Sequence, residues 1–91
     1  MSQQEMNATF NEQKWSERLE KCKEVVDKEK PTSIYSTFPM GTTFRRKRYY
    51  DGQKVLVAVL LEYVKPDGTL AASGKPLAKM LLVDGIMYYT E

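Results

Sequence analysis

Apolar side chains recur at Trp15, Leu19, Cys22 and Val26, with Val25 beside the last of them. Steps of four, three and four residues put these positions on one stripe of a helix. Thr9 stands three residues before Glu12, the spacing of a capping box. Glu17 with Lys21 and Glu24 with Lys28 are favourable pairs on the wet side, and Pro31 disfavours helical geometry at Lys30. The pattern predicts one long amphipathic helix that starts after Thr9 and ends before Pro31. Residues 1–8 are polar and aperiodic and read as a flexible terminus, with room for a helical turn after Ser2, which has capping-box spacing to Glu5.

Beyond Pro31 the period changes. Residues 31–44 carry no charge and include Ile34, Tyr35, Phe38 and Met40, which reads as a loop laid over the core and as a candidate apolar interface. Thr42 to Tyr50 is a strand candidate that ends at Asp51-Gly52, a tight-turn signal. Lys54 to Val64 is the strongest strand, because Val55 to Leu61 leaves no polar side and so demands a central, covered position. Lys65-Pro66-Asp67-Gly68 is a second turn, after which Thr69 to Ala72 can pair back as a short strand. Leu77 to Val83, Asp84-Gly85 and Ile86 to Thr90 read as a third hairpin. The alternative is a short helix behind Pro76 with Gly85 as its left-handed cap; the hairpin is the better local match.

The expected fold is therefore α+β: a long N-terminal amphipathic helix on an antiparallel β-meander of about four strands, forming a single domain over residues 9–91. One helix covers one side of a sheet, so the uncharged loop or a second copy in a homodimer is expected on the other. No apolar run approaches the roughly 20 residues of a membrane span and no signal-peptide pattern opens the chain, so the expected location is cytoplasmic and no membrane partner is expected.

Charge adds one feature. The 14 basic and 12 acidic residues give a net charge of only +2, but residues 1–30 hold seven acids and six bases, whereas residues 31–91 hold eight bases and five acids. Half of those eight bases lie in Arg45-Arg46-Lys47-Arg48, followed directly by Tyr49 and Tyr50. Alternation sends Arg45 and Lys47 to one side of a strand and Arg46 and Arg48 to the other, so neither side is dry. This reads as an edge strand with its charged heads in water. Guanidinium forks match phosphate, and neighbouring tyrosines can stack on bases.

Absences exclude classes of chemistry. The chain has no histidine and one cysteine, which removes Ser-His-Asp and Cys-His catalysis, imidazole zinc sites and internal disulfides; no metal and no cofactor is expected. Cys22 is expected to be an inert, packed thiol. Glu62, the one acid within the apolar strand, is read as a strand-end residue or as a partner for a cation of the basic strand. Ser73-Gly74-Lys75-Pro76 lacks the other positions of a phosphate loop and reads as a turn.

The resulting expectation is a non-catalytic binding module that presents Arg45, Arg46, Lys47, Arg48, Tyr49 and Tyr50 to nucleic acid, a nucleoprotein or an acidic protein surface. The first alternative is a protein-directed inhibitor or adaptor of the small bacterial or phage accessory kind, acting by occlusion through the same ridge or through Ile34 to Met40. In size and in its basic, tyrosine-bearing segment the chain also resembles RelE-type bacterial ribonuclease toxins, which implies histidine-independent RNA cleavage. Members of that family open with a strand and are far more basic, and no motif carries a catalytic residue across.

Overall fold

The computed structural model describes residues 1–32, 37–71 and 74–90. Two short helices, α1 (Gln3–Glu12) and α2 (Trp15–Leu19), precede five strands: β1 (Lys23–Pro31), β2 (Thr43–Tyr50), β3 (Leu56–Val64), β4 (Leu77–Val83) and β5 (Ile86–Tyr89). The strands form one antiparallel sheet in the order β1-β2-β3-β4-β5. Among the described residues this is an α+β meander, as the pattern implied, with five strands rather than about four and with no helix longer than the ten residues of α1.

The helical half departs most from expectation. α1 begins at Ser2, where the hydroxyl accepts from the Glu5 amide and the Glu5 carboxylate accepts from the Ser2 amide. The residues expected to be a flexible terminus are thus helical from Gln3, and Met6 is fully buried. Lys14 sits in the left-handed region (φ 54°) and breaks the helix before α2. Residues 23–30, expected to continue the helix, lie in β1 instead. Adjacent Val25 and Val26 favour an extended chain. The helical pairs of this stretch offer only about 0.2–0.5 kcal/mol each, whereas the strand makes eight facing pairs with β2 and brings Glu24, Asp27 and Glu29 to its cations.

β1 also changes the position of the basic strand. β2 lies between β1 and β3, so it is an internal strand and not the expected edge. The β2–β3 connection spans residues 51–55, longer than a tight hairpin, and is held by the Asp51 carboxylate accepting from the amides of Gln53 and Val55. With that length Arg45, Arg46, Lys47 and Arg48 face Glu62, Leu61, Leu60 and Val59. β3 is the central strand, as its apolar run required. Asp84 and Gly85 both take positive φ (50° and 79°), the geometry of a two-residue hairpin turn, and β4 and β5 pair across it. Of the short strand expected at Thr69 to Ala72, the described part is a single bridge between Val64 and Leu70.

The helices cover one face of the sheet. Met6 and Trp15 pack there with Tyr49, Ala58, Leu60, Ala78, Leu81 and Val83, and Phe10, Leu19, Cys22 and Tyr88 close the margin. Gln3 ties α1 to β4 by donating to the Ala78 carbonyl at 2.9 Å. Among the described residues no helix is long and apolar enough to cross a membrane.

Since Met6 is enclosed by this core, Met6→Ala is expected to cost about 2–4 kcal/mol in chemical denaturation. A loss under about 0.5 kcal/mol would mean that the N-terminal helix is not part of the folding unit.

Candidate nucleic-acid interface

Facing residues of antiparallel strands point to the same side, so the register assigns each charge to a face. On the helix face lie Glu24, Val26 and Glu29 of β1, Arg45, Lys47 and Tyr49 of β2, and Ala58, Leu60 and Glu62 of β3. On the outer face lie Lys23, Val25, Lys28 and Lys30 of β1, Arg46, Arg48 and Tyr50 of β2, and Val59, Leu61 and Tyr63 of β3. Asp27 is the extra residue of a bulge between Val26 and Lys28, and its contacts with Arg46 and Arg48 place it on the outer face.

The helix face is neutralised. Glu29 accepts from Arg45 Nε at 2.7 Å, and the Lys47 ammonium lies between Glu24 and Glu62, 2.7 Å from the latter. Burial disfavours the charge of Lys47, but its hydrogen bonds to the two carboxylates outweigh that and hold its pKa above the ordinary value. Tyr49 is buried beside them at 8% exposure; burial, reinforced by Glu24 and Glu62, pushes its pKa up to about 12. Arg45, Lys47 and Tyr49 are therefore tied into the interior side, and the structure does not present them together with Arg46, Arg48 and Tyr50. A cleft of about 660 Å³ opens beside Tyr49 between the helices and the sheet, lined also by Phe10, Leu19, Leu60 and Lys75.

The outer face keeps an excess of cations. Asp27 serves both Arg46 (3.0 Å) and Arg48 (2.8 Å), and its hydrogen bond from Arg46 holds its carboxyl below the ordinary value. One carboxylate thus stands among five cations: Lys23, Lys28, Lys30, Arg46 and Arg48. The arginine side chains remain 39% and 43% exposed. Aromatic rings lie on the same face, with Lys30 over Phe44 at 5.7 Å, Phe44 against Tyr63, and Phe38 stacked on Tyr63 at 4.5 Å between centroids.

Of the loop residues expected to form an apolar interface, Phe38 is half-buried on Tyr63, Met40 is 91% exposed, and Ile34 and Tyr35 lie outside the described residues. Cys22 is partly buried at the α2–β1 junction, where burial raises its pKa. Among the described residues no cluster of His, Cys, Asp or Glu is arranged to hold a metal ion. Lys23, Lys28 and Lys30 do not stand out in the sequence because helical periodicity runs through their segment; the adjacent valines ahead of Lys28-x-Lys30-Pro31 are the signal for a strand there. Comparison with protein-family models, curated proteins and solved structures finds no match.

A phenol whose folded pKa is raised contributes stability that is present below its unfolded pKa and is lost as pH rises through the folded value. Difference absorbance at 295 nm is expected to show one of the six tyrosines titrating near pH 12. Between pH 10 and 12 the wild type should lose about 2 kcal/mol more stability than Tyr49→Phe. A wild type and variant that decline in parallel would contradict the buried placement.

Proposed function

We propose that the outer face of the β1–β2–β3 sheet is a binding surface for nucleic acid, with Arg46, Arg48, Lys23, Lys28 and Lys30 contacting phosphates and Tyr50 flanking them. The observation that carries this reading is the unequal division of charge between the two faces. The four consecutive bases of β2 are not equivalent: Arg45 and Lys47 are matched by three carboxylates, whereas Arg46 and Arg48 share one and stand among three lysines. A sheet that packs helices on one face and offers cations and aromatic rings on the other suits an extended polyanion, which tracks a basic groove while its bases meet π-faces. The protein acts here by binding. Lys47, the base nearest a buried tyrosine, is held between two glutamates, which argues against a free lysine for phosphoryl chemistry.

Fluorescence anisotropy with labelled single- and double-stranded DNA and RNA tests the reading. Binding at low salt is expected to weaken steeply as salt rises, with a logarithmic slope of roughly −2 to −3.5 for three to five phosphate contacts on a single strand. Arg46→Glu/Arg48→Glu should reduce affinity at least about 100-fold, while Arg45→Gln, on the other face, should change it less than about threefold. Equal losses in both variants, or no binding to any probe at low salt, would overturn the proposal.

A further inference from the structure

The two edges of the sheet differ in a way the proposed binding face does not require. β1 is guarded: it carries Lys23, Glu24, Asp27, Lys28, Glu29 and Lys30, contains a bulge and ends in Pro31. Charges, bulges and prolines are the features that keep a foreign strand from adding to an edge. β5, the opposite edge, has none of them. Its sequence is Ile86-Met87-Tyr88-Tyr89, all of high β-propensity or apolar, with Ile86 56% and Tyr89 60% exposed.

The hydrogen-bond parity shows what this edge offers. The Thr90 amide donates to the Lys79 carbonyl, and β5 faces β4 in the register Tyr89–Met80, Tyr88–Leu81, Met87–Leu82 and Ile86–Val83. Inward bonding alternates along an antiparallel strand, so Tyr88 and Ile86 bond inward and the N–H and C=O groups of Met87 and Tyr89 point out of the sheet. Two donors and two acceptors in this spacing match an identical strand running the opposite way.

We infer that β5 pairs with β5 of a second copy, antiparallel and about a two-fold axis normal to the sheet, with Met87 facing the partner's Tyr89 and Tyr88 facing the partner's Tyr88. Four backbone hydrogen bonds close this pairing, and it continues one sheet across ten strands. Electrostatics favours the same occupant. At about 4.8 Å per strand the two β2 strands lie about 34 Å apart, several times the ~8 Å screening length at physiological salt, so the basic faces do not oppose one another. Pairing through β1 instead would set the lysines of two copies side by side. The uncharged edge is thus complementary to itself, and the two-fold axis keeps both outer faces on one side of the sheet.

Sedimentation equilibrium on the full chain, from about 10 μM to about 1 mM, reads the association directly. The expected mass rises with concentration from 10.5 kDa towards twice that value. Ile86→Lys/Tyr89→Lys changes two exposed side chains and should retain the wild-type circular dichroism while remaining monomeric throughout. Hydrogen exchange of the wild type supplies a second reading that needs no variant: the Met87 and Tyr89 amides are expected to slow at least about fivefold as the dimer fills. A wild type that stays monomeric at about 1 mM, a dimer that persists in the double variant, or exchange at Met87 and Tyr89 that ignores concentration would each overturn the inference. None of these outcomes depends on nucleic-acid binding.

Discussion

Four cations in consecutive positions of one strand cannot sit inside a sheet unless carboxylates come to meet them, and β1 brings three. Glu29 reaches Arg45, Asp27 reaches Arg46 and Arg48, and Glu24 reaches Lys47, with Glu62 of β3 on its other side. Most of these pairs are partly exposed and each is worth no more than about 1 kcal/mol. Stability comes chiefly from the ladders and from the core around Met6, Trp15, Leu60 and Leu81. What the pairs supply is register: a slip of β1 by one residue would turn every carboxylate to the wrong side and leave Lys47, at 15% exposure, without its counter-charge on β1.

Alternation then converts a contiguous basic run into two unlike surfaces. One side of β2 joins the core through Tyr49 and is electrically closed. The other keeps Arg46 and Arg48 in water with a single shared carboxylate. The two tyrosine doublets are split in the same way, Tyr49 and Tyr88 packing inward while Tyr50 lies on the outer face and Tyr89 is exposed. The bulge at Asp27 matters here, because it sets that carboxylate beside Lys28 on the outer face and restores the phase in which Glu29 meets Arg45.

Much of the sheet was legible in the chain. The apolar run of β3, the Asp84-Gly85 turn and the Ser2–Glu5 spacing each depend on local chemistry, and each appears where that chemistry puts it. Residues 23–31 were not legible, for a physical reason. Glu24 and Lys28 stand four apart, which suits a helix, but their charges also suit a strand laid against Arg45 to Arg48, and the partner lies some twenty residues away. A local reading sees the first option and not the second. The same limit hides the candidate site: a helix through residues 23–30 leaves the basic strand at an edge with the cations of both its sides in water, and puts Lys23, Lys28 and Lys30 on another element.

The pairing of β1 with β2 is therefore the claim on which the division of charge stands. Nuclear Overhauser spectroscopy of the labelled protein tests it most directly. Cross-strand contacts between facing backbone protons are expected at Glu29–Arg45 and Glu24–Tyr49, with extended-chain sequential contacts through residues 23–31. Helical contacts from each Hα to the amide three residues on through that segment, with no cross-strand contact to β2, would contradict the account.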